Sequence, residues 1–70
     1  MARRRFAAHI IELDNHSLCQ AFVTLVDGVV VGYSEFSGEM PMTEWLGGKI
    51  EIHYDESHVL RAYWNGRMLE

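Results

Sequence analysis

The feature that most constrains the fold is a pair of apolar runs within residues 18–36, joined by Asp27 and Gly28. An Asp-Gly pair between apolar runs is typical of a β-hairpin, because a two-residue type I′ turn needs a positive φ at both central positions. Such a turn places Val26 opposite Val29. Both faces of the hairpin are largely apolar, so we expect both to be covered, by the rest of the chain or by a second copy of it.

The second run of this hairpin contains Gly32, which the predicted register places opposite Val23. A glycine inside a strand is typical of a bulge or a bend. We therefore expect the hairpin to curl the sheet toward a small barrel.

Alternating apolar and polar residues predict further strands at residues 5–13, 49–54, 59–64 and 67–69. The first of them ends at a polar turn, residues 14–17, and should pair antiparallel with the hairpin. The last two are joined by Asn65 and Gly66, a second type I′ signal.

The stretch between the two groups of strands favours a helical turn. Pro41 suits the first position of a helix, and Gly47 with Gly48 can supply the left-handed stop. The predicted fold class is therefore mainly β: an antiparallel meander of about five or six strands, curled into a small barrel or sandwich. One short helical turn is expected near residues 41–46.

The basic residues are unevenly placed in this single-domain chain. Arg3, Arg4 and Arg5 supply half of the six basic residues, so we assign residues 1–5 to a flexible basic terminus and residues 6–70 to one small β domain. That domain carries three basic residues against ten acidic ones. Such a balance matches phosphate backbones poorly and disfavours nucleic acid as a partner.

The expected compartment is the cytoplasm, with no membrane association. The apolar runs are too short to span a membrane, and no apolar segment with a cleavage site follows the basic amino terminus. The single cysteine, Cys19, cannot form an internal disulfide, which suits a reducing environment.

Four histidines and one cysteine raise the question of a metal site. His53 and His58 flank a turn that contains Asp55, which gives two or three weak ligands. Zinc usually has four ligands from tight spacings such as C-x-x-C, and none is present. We therefore expect exposed histidines and no metal or cofactor, with His53, His58 and Asp55 as the weak candidates.

Cys19 is the one candidate nucleophile, with His16 or His9 as its base. No oxyanion hole or orienting third group is evident from the sequence. A small buried hydrophobe is the preferred interpretation of Cys19. We expect a protein that is not an enzyme.

Aromatic residues are numerous for so short a chain, and tryptophan, tyrosine and arginine are enriched at protein interfaces. The interface candidates are Trp45, Arg61 and Tyr63. The last two follow from the alternation in residues 59–64, which places Leu60, Ala62 and Trp64 inward and Val59, Arg61 and Tyr63 outward. The alternative is that these rings fill a small core.

Two motifs, F-A-A-H at residues 6–9 and T-E-W-L-G-G at residues 43–48, resemble those of a group of short uncharacterised bacterial proteins. The resemblance implies a small, β-rich cytoplasmic fold and carries no activity.

Residues 23–32 and 46–52 are similar to the small β-domain of amidohydrolases. The metal-binding H-x-H of that family is absent, since only His53 stands there, so the resemblance implies structural kinship without the chemistry.

A third resemblance covers W-L-G-G-K-I-E-I-H-Y-D and the following V-L-R-A-Y-W-N-G-R-M-L. This part is similar to the carboxy-terminal β-barrel of Mu-type transposases. The sequence as a whole predicts a small β domain, which the first resemblance implies is bacterial, and a non-catalytic protein-binding or self-associating module, with a homodimer as one form. The alternatives are a nucleic-acid accessory module that uses the basic terminus, and a non-catalytic relative of the amidohydrolase β-domain.

Overall fold

The computed structural model describes residues 3–38 and 41–70, which form seven strands and no helix. The strands are β1 (Arg3–Glu12), β2 (Ser17–Val26), β3 (Val29–Glu35), β4 (Glu44–Trp45), β5 (Lys49–Tyr54), β6 (Leu60–Trp64) and β7 (Arg67–Met68). Across this part of the chain, no helix is long and apolar enough to cross a membrane.

The strands form one mixed sheet in the order β3-β2-β1-β5-β6-β7, with β4 also paired to β1. Neighbouring strands pair antiparallel within the group β1 to β3 and within the group β5 to β7. The two groups meet where β1 pairs parallel with β5. One edge of β1 is shared, because β4 pairs with Phe6 and Ala7 whereas β5 pairs with Ile10, Ile11 and Glu12.

The core lies inside the curl of this sheet. Its buried apolar side chains are Phe6, Ala8, Ile11, Ala21, Val23, Leu25, Val30, Ile50, Ile52 and Ala62. They come from both groups of strands, since the curl brings β3 and β6 together across the core. The inward orientation predicted for Leu60, Ala62 and Trp64 is confirmed, because Ala62 is in the core and the other two pack against it.

The central hairpin is confirmed in its turn and in its first two cross-strand pairs. Asp27 and Gly28 have φ angles of 52° and 80°, as a type I′ turn requires. A bulge follows beyond the second pair and shifts the register by one residue. Gly32 therefore lies opposite Thr24, and the predicted pairing of Gly32 with Val23 is wrong.

The predicted helical turn near residues 41–46 is wrong. Pro41 and Met42 form a turn, and Glu44–Trp45 is strand β4. The segment is extended because it pairs with β1, and the next N–H, that of Leu46, donates to the carbonyl of Ala7 at 2.8 Å. Residues 39 and 40 lie outside the described residues.

The purely antiparallel meander and its closure into a barrel or sandwich are also wrong. The strands form one mixed sheet that is not closed into a barrel. The sheet is mixed because β4 and β5 both pair with the same edge of β1 and run parallel to it.

The three arginines of the basic terminus predicted for residues 1–5 belong to β1 and pair with β2. Arg4 is held further, because its guanidinium donates to the carbonyl of Glu70 at 3.0 Å and forms an ion pair with Glu44. Met1 and Ala2 lie outside the described residues.

Candidate functional site

A groove of about 620 Å³ opens on the outer face of the sheet, where β1 and β2 meet β4 and the end of β3. We call it the aromatic groove; it is lined by Ala7, Gln20, Phe36, Gly38, Pro41, Thr43 and Trp45. Ala7 and Trp45 are partners in the parallel ladder, so their side chains lie on the same face of the sheet. That face is opposite to the one that carries Phe6 and Ala8 into the core.

Hydrogen bonds hold the walls of the aromatic groove. The N–H of Phe36 donates to the carbonyl of Gln20 at 2.9 Å and places that ring beyond the end of β3. On the other wall, the Thr43 hydroxyl donates to the Pro41 carbonyl at 3.1 Å. The chain after β4 is held where the indole N–H of Trp64 donates to the carbonyl of Gly47 at 2.7 Å. The groove is therefore formed by paired backbone as well as by side chains.

The rings at the groove contact one another in a row. His9 meets Trp45 edge to face, with centroids 4.9 Å apart, and Phe36 meets Trp45 in the same way at 6.4 Å. Phe22 continues the row, 6.2 Å from Phe36. Each such pair contributes about 0.5–1.5 kcal/mol beyond its buried area. Trp45 nevertheless leaves 51% of its surface exposed, so the row is ordered but not covered.

Arginines lie at one end of this surface. Residues 3–5, with Pro41 and Met42, line a second groove of about 370 Å³, and Pro41 belongs to both grooves. The guanidinium carbon of Arg5 lies 5.2 Å from the centroid of the Phe22 ring, within the range of a cation–π contact. The surface therefore passes from apolar rings to positive charge.

The three predicted interface residues do not share one surface. Trp45 lies in the aromatic groove, as an exposed ring. Tyr63 is half-buried on β6 and stacks on His53, with centroids 4.3 Å apart and planes 6° from parallel. Arg61 is also half-buried and makes intramolecular bonds, with Nη1 donating to the carbonyl of Gly28 at 2.9 Å.

The carboxylate of Asp55 organises the turn between β5 and β6. Oδ1 accepts the N–H groups of Ser57 and Val59 at 2.8 and 3.0 Å, and Oδ2 accepts Nε of Arg61 at 3.1 Å. The hydrogen bond from Val59, followed by the one from Arg61, lowers the pKa of Asp55 below its ordinary value. Through Arg61, this carboxylate also connects β6 to the Gly28 turn of the central hairpin.

The structure does not assemble the weak metal candidates into a ligand set. Asp55 already accepts three hydrogen bonds, and His58 lies exposed in the turn with a φ of 59°. His53 stacks on Tyr63 instead of turning toward Asp55. No group of three histidine, cysteine, aspartate or glutamate side chains forms a metal-binding cluster anywhere in residues 3–38 and 41–70.

Cys19 is exposed, so its predicted role as a small buried hydrophobe is wrong. Its backbone N–H donates to the Glu35 carboxylate at 3.1 Å, which orders the main chain at this point. The two histidines that the sequence offered as its base, His9 and His16, are exposed, and His9 contacts Trp45.

Comparison of the chain with protein-family models, with curated protein sequences and with solved structures returns no match. The candidate site therefore rests on its geometry. Sequence reasoning found Trp45 but missed His9, Phe22 and Phe36 as its companions. The sequence feature that could have indicated them is the position of Phe22. It lies on the opposite face of β2 from the core residue Val23, so other side chains had to pack over its ring.

Proposed function

We propose that this protein is a non-catalytic binding module whose aromatic groove receives an extended apolar segment of a partner protein. The observation that carries the proposal is Trp45, half-exposed yet held between the rings of His9 and Phe36. Binding energy at interfaces concentrates in aromatic residues of this kind, which lose little conformational freedom when they are covered.

An extended segment suits the groove because of the strand beside it. Among the described strands, β4 pairs with β1 alone. No described strand covers its outer edge, and main-chain hydrogen bonds to such an edge are the way peptides add to a sheet. The groove is concave, a shape that suits a single inserted segment. We also propose the cytoplasm as the site of action, since Cys19 is a free and exposed thiol.

The test is the selection of ligands from a phage-displayed library of random peptides about twelve residues long, followed by affinity measurements on synthetic peptides. We expect a shared motif with an aromatic or large apolar anchor. Trp45→Ala should weaken binding at least about tenfold, as loss of a tryptophan at the centre of an interface does. Tyr54→Ala is the matched control, because Tyr54 is 60% exposed and does not line the aromatic groove.

Failure to select any motif, or equal binding by the wild type and by Trp45→Ala, would contradict the proposal. Sedimentation velocity of the free protein tests whether a second copy of the chain occupies the aromatic groove instead. A dimer that Trp45→Ala dissociates and Tyr54→Ala preserves would assign the aromatic groove to a second copy of the chain.

A further inference from the structure

Resting on the proposed function, we infer that the segment bound in the aromatic groove carries carboxylates beside its apolar anchor, and that Arg5 and Arg3 receive them. The partner is thus a peptide segment that combines an apolar anchor with acidic residues, and not a purely apolar one. The inference depends on which of the three amino-terminal arginines already have partners within the fold.

Arg5 carries a charge that no described carboxylate compensates. The described ion pairs are Arg4 with Glu44, Lys49 with Glu12 and Arg61 with Asp55. Arg5 lies over the Phe22 ring, and its buried Nε has no hydrogen-bond partner among the described residues. A guanidinium that lies over a ring still has N–H donors at its edge, and their fork geometry matches a carboxylate.

Arg3 and Arg4 differ in whether they have an ion-pair partner within the described part of the fold. Arg4 is committed to the fold through Glu44 and the carbonyl of Glu70. Arg3 is exposed and forms none of the ion pairs found in the described part of the chain. Positive charge remains available at this end of the surface on two of the three arginines.

The arginines and the rings form one continuous surface. Pro41 lines both the aromatic groove and the groove of residues 3–5, and Phe22 joins Arg5 to the aromatic row through Phe36. A segment that covers Trp45 and continues past Pro41 therefore reaches the guanidinium groups. Charge complementarity then sets both the orientation of the segment and its rate of association.

A peptide fits this surface better than a nucleic acid does. Single-stranded nucleic acid could stack its bases on the rings, but binding along a strand requires a positively charged groove to follow the phosphates. Beyond residues 3–5 the chain has three basic residues against ten acidic ones. Two available guanidinium groups at one end can neutralise a pair of carboxylates, and they cannot neutralise a run of phosphates.

The experiment compares each selected peptide with a twin in which Asp and Glu are replaced by Asn and Gln. Fluorescence anisotropy gives both affinities for the wild type, Arg5→Gln, Arg3→Gln and Arg67→Gln. We expect the acidic peptide to bind the wild type about tenfold tighter than its twin, and less so at high salt. Arg5→Gln should remove most of that difference and Arg3→Gln part of it. Arg67→Gln, at an exposed residue of β7, should leave the difference unchanged.

Selected peptides that need Trp45 but bind equally with and without their acids would overturn this inference and leave the proposed function standing. Failure of all peptides to bind would overturn both. A fluorescein-labelled oligothymidylate of about twenty nucleotides is the third probe. If it binds more tightly than the peptides and loses binding in Arg5→Gln, the surface belongs to nucleic acid.

Discussion

Replacing Gly28 with alanine tests how the central hairpin is held to β6. Gly28 has a φ of +80°, a conformation that costs an L-residue about 1–2 kcal/mol. An added Cβ would lie 3.0 Å from Nη1 of Arg61, the atom that donates to the Gly28 carbonyl. Arg61 cannot simply swing away, because its Nε is bonded to Asp55. Alanine therefore adds backbone strain, and its Cβ crowds the donor atom of an existing hydrogen bond.

Gly66 provides a matched control for the strain alone. It occupies the same position in the other two-residue turn, with a φ of +79°, and an added Cβ meets nothing within 4 Å. We expect Gly66→Ala to lower the free energy of unfolding by about 1 kcal/mol. Gly28→Ala should lower it by about 2–4 kcal/mol, because a hydrogen bond from a charged donor contributes about 1.5–3 kcal/mol when fully lost.

Urea unfolding followed by tryptophan fluorescence measures both changes, provided that the slope with denaturant is the same in all variants. In thermal melts, each 1 kcal/mol should shift Tm by about 4–8 °C. The Arg61→Met background completes the comparison, because Gly28→Ala should there cost no more than Gly66→Ala. Equal costs for the two glycine substitutions in the wild-type background would refute the proposed contribution of Arg61.

Three further predictions concern the core, the turn at Asp55 and the thiol. Ile50→Ala should lower the free energy of unfolding by about 2–4 kcal/mol, since Ile50 is fully buried, whereas Val31→Ala at an exposed site should change it by less than about 0.5 kcal/mol in the same urea assay. The pKa of Asp55 is lowered in the folded state, so its stabilisation is present above the ordinary value of 3.8 and disappears as the pH falls through the lowered pKa. The difference in urea midpoint between the wild type and Asp55→Asn should therefore be largest near neutral pH and shrink below about pH 4. Cys19 is exposed, so a thiol reagent such as dithionitrobenzoate should label the native protein about as fast as the urea-unfolded chain; labelling that requires urea would contradict its placement.

Most strands were predictable because their signals are local. The alternation from Lys49 to Tyr54 predicts the bounds of β5 as the structure has them. The two Asx-Gly pairs predict two turns with positive φ at both positions, and both are present. Such patterns depend on residues within a few positions of one another, so no knowledge of the distant chain is needed to interpret them.

The helical turn predicted for residues 41–46 is wrong because the structure of this segment depends on a distant part of the chain. Pro41 suits the start of a short helix, and Gly47 with Gly48 suits its end. One or two helical turns, however, gain little stability of their own. Pairing with Phe6 and Ala7 supplies the hydrogen bonds that keep this segment extended. The arginines are a similar case, since a basic terminus becomes part of β1 only because β2 is long enough to pair with it.

The same distant pairing explains why only one residue of the candidate site was found from the sequence. Trp45 could be chosen by residue type alone. His9 and Phe36 become its neighbours because β4 pairs parallel with β1 and because Phe36 bonds to the main chain of Gln20. A helix at residues 41–46 would have lost the pairing that sets Trp45 beside Ala7. The pairing of β4 with β1 therefore determines the position of the aromatic groove. A variant that disrupts this pairing should abolish binding even when every ring is retained.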